Sequence, residues 1–242
     1  MNTQSGLTMP GLSSRGLAGL KHAANRSTKI GLDPIKLGAP GKCGDIPTHM
    51  VLCFDDSGSM SMGNDSAGRR YDEASLVIKK VAEHCKCKKC VISIIHFDPR
   101  SQEDHFSFLR LREDERTIHG ALRPGGTGSS NLGPALQNAY KIVAKQKQYH
   151  NVLVVLSDFE LFDPAVEHVL ERFAAFPGAS HAVIMRSQNA APSLDTDLRV
   201  TVTRIENGTP HGAVAHAIFD GVTTFRPNRK LAGIPKKSSS NA

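Results

Sequence analysis

Met50-Val51-Leu52-Cys53-Phe54-Asp55-Asp56-Ser57-Gly58-Ser59 is the stretch on which the fold turns. Five apolar residues run without a polar break, and then the chain changes at once to carboxylates, hydroxyls and a glycine. A continuous apolar run of that length, bounded by turn residues, reads as a strand buried on both faces. Met50–Phe54 is therefore expected to be a strand whose carboxyl end opens into an oxygen-rich loop.

Working outward, the same alternation repeats. Tyr71, Ala74, Ile78, Val81 and Cys85 recur at steps of three and four, the stripe of a helix with one buried face. Cys90–Phe97 reads as a second buried strand, and Phe106, Phe108 and Leu111 interleave with Ser107 and Arg110 as a half-exposed antiparallel edge. A short helical turn is expected around Glu113–Leu122, then a helix carrying Leu132, Leu136, Ala139 and Val143. Val152–Leu156 reads as a central parallel strand ending at Ser157-Asp158. A helix with Val166, Val169, Leu170 and Phe173, a strand at Ala182–Met185 and a weaker strand at Val200–Thr203 follow. Thr209 is placed to cap a last helix with Pro210 at its first position, its buried face formed by Val214, Ile218, Val222 and Phe225. Strands alternating with helices imply an α/β fold: a doubly wound, mostly parallel central sheet flanked by helices, with one antiparallel edge strand.

The chain's 242 residues suit one sizeable domain of this kind, expected over 48–226. A hydrophobic fraction of 39% excludes a mainly disordered chain, and no apolar run approaches the length of about 20 residues that a membrane span needs. The net charge of +7 belongs to the flanks. Residues 1–48 hold six Lys/Arg against two acids, residues 221–242 hold five and none, and the middle is slightly acidic. Residues 1–47 read as a basic Gly/Pro/Ser-rich arm and 227–242 as a basic disordered tail. Nucleic-acid association is expected only through those flanks. No signal peptide is evident, which leaves the cytoplasm as the default compartment.

In a doubly wound sheet the ligand site lies beyond the carboxyl ends of the strands. Three oxygen-rich segments are expected there: Asp55-Asp56-Ser57-Gly58-Ser59, Gly126-Thr127-Gly128-Ser129-Ser130, and Ser157-Asp158. Hard oxygen donors of this type suit Mg²⁺, Mn²⁺ or Ca²⁺ rather than zinc or copper.

These segments resemble a von Willebrand factor type A domain. Val51–Met60 looks like the start of such a domain. The family's metal-ion-dependent adhesion site has an Asp-x-Ser-x-Ser motif, a distant Thr and a distant Asp, and these fall on Asp55, Ser57, Ser59, Thr127 and Asp158. The resemblance covers roughly residues 48–226. It implies that Ser57, Ser59 and Thr127 bind Mg²⁺ or Mn²⁺ directly, while Asp55 and Asp158 act mostly through bound water and by fixing those hydroxyls. Neutral ligands leave the ion electrophilic, so an open position would take a carboxylate from a protein partner. Intracellular relatives often work beside ring-shaped ATPases or inside larger assemblies, and a partner of that kind is the matching expectation. Three departures concern the rim. Phe159-Glu160 follows the last Asp where the family usually has Gly, Asp56 adds a carboxylate, and Arg186–Asp197 is too short and Pro-broken for the helix often found there.

The expected function is thus a metal-dependent protein-binding module and not an enzyme, since no general base or nucleophile is evident. The alternatives are a metal-dependent phosphoester-processing enzyme using the same oxygens, and a nucleic-acid-associated protein acting through its basic flanks. Cys85-x-Cys87-x-x-Cys90, with His84 or Cys43, has the look of a zinc site, but Cys85 belongs to an apolar stripe and Cys90 opens a buried strand. The Gly125–Ser130 run lacks the lysine of a phosphate-binding loop. His96, His105, His119, His181 and His211 are scattered at no metal or triad spacing.

Overall fold

The computed structural model describes residue 37 and residues 46–61, 67–85, 88–97, 106–123 and 128–224. Thirteen elements follow in chain order. They are β1 (Thr48–Phe54), α1 (Gly58–Ser61), α2 (Arg70–His84), β2 (Val91–His96), β3 (Phe106–Arg110), α3 (Glu115–Ala121), α4 (Leu132–Ala144), β4 (His150–Ser157), α5 (Val166–Ala174), β5 (Ala179–Met185), a 3₁₀ turn (Pro192–Thr196), β6 (Val200–Ile205) and α6 (Ala213–Thr224). The six strands form one sheet in the order β3-β2-β1-β4-β5-β6. All neighbours are parallel except β2 and β3, so the edge strand is antiparallel as its alternation predicts.

The central strands show why their sequences carry no polar alternation. Met50, Leu52 and Phe54 of β1, with Val152, Val154 and Leu156 of β4, point to the side covered by α2, α3 and α6. Val51, Cys53, Leu153 and Val155 point to the other side, under α4 and α5. Both faces are dry, and period-two side chains are apolar on each.

The first crossover leaves β1 toward β2, and β4 returns on the other flank of β1. The strand order therefore reverses between β1 and β4, which is where an open α/β sheet forms its crevice. Asp55 and Asp158 are the residues just past the ends of these two strands.

One helix start differs from expectation. The last helix begins at Ala213, not Pro210, and Thr209 turns its hydroxyl to the Glu206 carbonyl instead. Its amino end is satisfied from a distance: Glu73 of α2 accepts hydrogen bonds from the amides of Gly212 and Ala215, both at 3.0 Å. A carboxylate on free amides at a helix start uses the same electrostatics as a local cap, but nothing near Thr209 in sequence announces it. The expectation for Arg186–Asp197 holds, the helix being replaced by the 3₁₀ turn. The arm and tail assigned to 1–47 and 227–242 lie almost wholly outside the described residues, as do Phe225, Cys43, Cys87 and His105.

Candidate functional site

Four of the five residues named for the site lie among the described residues, and they converge. Asp55 is fully buried at the end of β1. Its Oδ1 accepts the Ser57 amide at 2.8 Å, and its Oδ2 accepts the Ser157 hydroxyl at 2.6 Å. The first bond closes the tight turn after β1; the second ties that turn to the end of β4. Ser57 Oγ and Ser59 Oγ are 2.9 Å apart. Ser59 in turn donates to Asp158 Oδ2 at 2.5 Å, across 99 residues of sequence. A chain of hard oxygens thus spans the crevice from one strand end to the other. Thr127 lies outside the described residues.

Two buried carboxylates, Asp55 and Asp158, stand close together at this point. Burial, first of all, raises the pKa of Asp55 above the usual carboxylate range. Hydrogen bonds from Ser157 and Ser57 oppose that shift, and the neighbouring charge of Asp158 adds to it. The donor set also fits a small divalent ion. Octahedral Mg²⁺ holds oxygens at about 2.1 Å, which places adjacent ligands about 3.0 Å apart. The 2.9 Å between the two serine hydroxyls matches that edge.

Beneath the loop is a buried support that the sequence did not announce. Arg70, at the start of α2, is 2% exposed. Its guanidinium donates to the carbonyls of Met60 (2.6 Å), Ala67 (2.7 Å) and Asp55 (2.9 Å), and to Asp56 Oδ1 (3.2 Å). Asp56 also accepts the Tyr71 hydroxyl and pairs through Oδ2 with His96 Nδ1 at 2.8 Å. Burial, and then the Asp56 charge, push the Tyr71 hydroxyl up, so it remains a donor. The extra carboxylate that departs from the motif therefore faces inward as the anchor of an Arg–Tyr–His cluster. His96 completes the cluster by donating Nε2–H to the Ala121 carbonyl at 2.9 Å.

The segment after Thr127 presses on the same loop. A Cβ built on Gly128 would stand 2.1 Å from the Asp56 carbonyl carbon, so only glycine permits this approach. The Asp158–Asp163 loop is locked to the neighbouring segment. Phe162 N donates to Ser130 O at 3.1 Å. Asp163 accepts the Leu132 and Gly133 amides at 2.8 and 3.0 Å, capping α4 from outside.

The departure at Phe159 has a backbone explanation. Its φ is +56°, in the left-handed region that favours glycine. The chain keeps the glycine-like turn and fills it with an aromatic side chain. The ring is 3% exposed and lies edge-on to Phe173 at 6.2 Å, so packing holds what the backbone resists.

Other motifs resolve as parts of the core. Cys85 is the buried residue closing α2, and Cys90 is partly buried just before β2. Among the described residues no cluster of three or more His, Cys, Asp or Glu is placed to hold a metal. At the amino end of the sheet, Ser93 donates to His49 Nε2 (2.8 Å), and His49 Nδ1 donates to Asn151 Oδ1 (2.9 Å). This has the connectivity of a nucleophile triad, but Ser93 and His49 are both fully buried. It serves to satisfy polar groups between strands.

Comparison with known proteins bears on the fold of the domain. Residues 50–160 match the von Willebrand factor type A domain family, a span that includes all five motif positions. That segment is similar to a domain of the family over a little less than half of the chain. Solved structures share the fold. A pilus adhesin, SpaC from Lactobacillus rhamnosus GG, superposes with a TM-score of 0.57 at 12% identity, over 76% of this chain and 32% of the adhesin. A von Willebrand factor type A protein from Catenulispora acidiphila gives 0.53 at 17%, over 74% and 42%. The SpRpn10 VWA domain gives 0.52 at 12%, over 72% and 94%. The chain spans about a third of the adhesin's length and nearly all of the SpRpn10 domain. No curated protein matches it in sequence. Among the described residues no helix is long and apolar enough to cross a membrane.

Proposed function

We propose that this domain is a protein-interaction module that binds its partner through a divalent cation, Mg²⁺ or Mn²⁺, at the carboxyl ends of β1 and β4. The observation that carries the reading is the oxygen chain Ser57 Oγ–Ser59 Oγ–Asp158 Oδ2 in the crevice between those strands. Ser57, Ser59 and Thr127 would hold the ion through their hydroxyls. Asp55 and Asp158 would fix those hydroxyls and supply the negative charge that a buried cation needs. When bound, the ion supplies an electrophilic position for an incoming carboxylate. The chain's own part is positional: Arg70 holds the loop from below, and Gly128 packs against its backbone.

A carboxylate suits the site because the direct ligands are neutral. A partner Asp or Glu would complete the coordination shell and gain a charge-assisted contact. A cytoplasmic assembly, including one built around a ring-shaped ATPase, remains the working expectation for the partner.

The test is a pull-down with the full chain, in magnesium and in chelator, alongside Ser59→Ala. Partners captured only in magnesium, and lost in the variant, support the reading. Equal capture in all three conditions would overturn it and move the interaction surface elsewhere.

A further inference from the structure

Among the described residues four large apolar side chains are exposed: Ile46, Leu76, Phe162 and Leu198. Ile46 precedes β1 and Leu198 precedes β6, so both lie toward the amino ends of parallel strands, away from the site. Leu76 is on α2. Phe162 alone sits on a loop at the carboxyl end, four residues after Asp158, with 78% of its surface in water.

This ring is not loose. Its own amide is bonded to Ser130, the next residue is clamped on two amides of α4, and Leu161 before it packs against the core. A backbone fixed on both sides holds a phenyl group outward on the loop that follows Asp158. Rigid aromatic rings displayed in this way bury large area with little loss of conformational freedom.

We propose that Phe162 is the second contact of the site, taking an apolar side chain of the same partner segment whose carboxylate goes to the metal. The proposal rests on the metal-dependent reading above and names the partner's chemistry: an extended acidic segment with a large apolar residue close to its Asp or Glu. Chain geometry bounds the spacing. Four residues span at most about 14 Å, and an extended partner strand advances about 3.4 Å per residue. The apolar residue therefore lies within about four positions of the carboxylate. Glu160 is exposed between the two contacts, so the intervening partner positions are neutral or basic.

The chain contains no tryptophan, so Phe162→Trp places a single indole at the contact. The probe is an array of nine-residue peptides with one central Glu in a Ser/Gly background and one Leu walked through every other position. Binding is measured with the full chain in millimolar magnesium. Wild type is expected to prefer one or two Leu positions on one side of the Glu. F162W emission is expected to shift blue with those peptides. Phe162→Ser is expected to lose about tenfold in affinity for them, about 1.4 kcal/mol, while keeping the weaker magnesium-dependent binding of the Leu-free Glu peptide. Equal binding by wild type and Phe162→Ser overturns the proposal, as does an array in which no peptide binds. A blue shift that grows with protein concentration alone also overturns it, and assigns the ring to contact with a second copy. Manganese titration of wild type and Asp55→Ala separates the two levels. Metal bound by wild type only, with no preference for Leu, leaves the metal reading standing and Phe162 out of it; no metal bound by either removes both.

Discussion

Ser59 Oγ donates to Asp158 Oδ2 at 2.5 Å, joining the loop after β1 to the loop after β4. The bond holds a hydroxyl with its oxygen facing Ser57 and its proton directed at a carboxylate. That is how an outer carboxylate orients a metal ligand: it fixes the lone pairs and makes the oxygen a better donor.

Removing either partner should therefore weaken metal binding without unfolding the chain. At a metal concentration a hundredfold above Kd, binding adds about 2.7 kcal/mol to stability. For a domain of this size that is a rise of roughly 5–10 °C in Tm. Wild type should show the rise with magnesium or manganese, and Ser59→Ala and Asp158→Asn should lose most of it. Thermal melts with and without metal check this, and equal shifts in all three proteins would contradict the assigned roles.

Arg70 should be intolerant of change. Its four hydrogen bonds are made in a fully buried position, and three of them go to backbone carbonyls. Arg70→Ala leaves Asp56 buried beside fewer donors, a loss of about 3–5 kcal/mol. Arg70→Lys should not rescue it, since one ammonium cannot reproduce the two-armed guanidinium geometry. Urea denaturation of the three proteins measures both statements.

Gly128→Ala tests the close approach of Gly128 to the Asp56 backbone. The new methyl meets a main-chain carbonyl, which cannot rotate away as a flexible side chain does. The segment must move, at a cost of about 1–3 kcal/mol in stability. If Thr127 is a ligand, metal affinity falls as well, and calorimetric titration against Ser130→Ala as a neighbouring control separates the two effects.

Acid should destabilise the fold through two histidines remote from the site. Burial lowers His49 and His181 from 6.5 to about 4, with the Asn151 bond partly opposing the shift at His49. The unfolded chain then binds more protons than the folded one between these values. Stability is full above about pH 6.5 and is lost as pH falls toward 4, by about 3 kcal/mol for each ring at the lower end. A denaturation midpoint that does not change from pH 7 to pH 4.5 would contradict this. His181→Gln should flatten the profile by about half.

The sheet was legible because buried parallel strands have no polar alternation, and Met50–Phe54 and Val152–Leu156 say so directly. The ligand loops were legible because they follow those strands. What stayed hidden acts over long sequence separations. Glu73 caps a helix 139 residues away, Asp163 caps another 30 residues back, and Arg70 and His96 converge on Asp56. Each is a charged or polar residue on an otherwise ordinary helix or strand, and only the fold brings it to its partner. The one local trace of it is register: Arg70 stands at helical steps from Ala74, Val77 and Val81, on the apolar stripe of α2.

Phe159 supplies the last prediction, because backbone and side chain pull in opposite directions there. The residue stands at φ +56°, a conformation that costs a side-chain-bearing residue about 1–2 kcal/mol relative to glycine. Its ring is buried against Phe173, and deletion of such a ring costs about 3–5 kcal/mol. Phe159→Ala removes the packing and keeps the strain, so it should be the less stable variant. Phe159→Gly removes both, and should exceed Phe159→Ala by about 1 kcal/mol while remaining well below wild type. In the interior of an ordinary strand or helix that order would be reversed, because glycine loses more chain entropy than alanine on folding. Urea midpoints of the three proteins decide the matter. Alanine equal to or more stable than glycine would mean that the left-handed turn after Asp158 is absent in solution, and that the chain leaves β4 by another path.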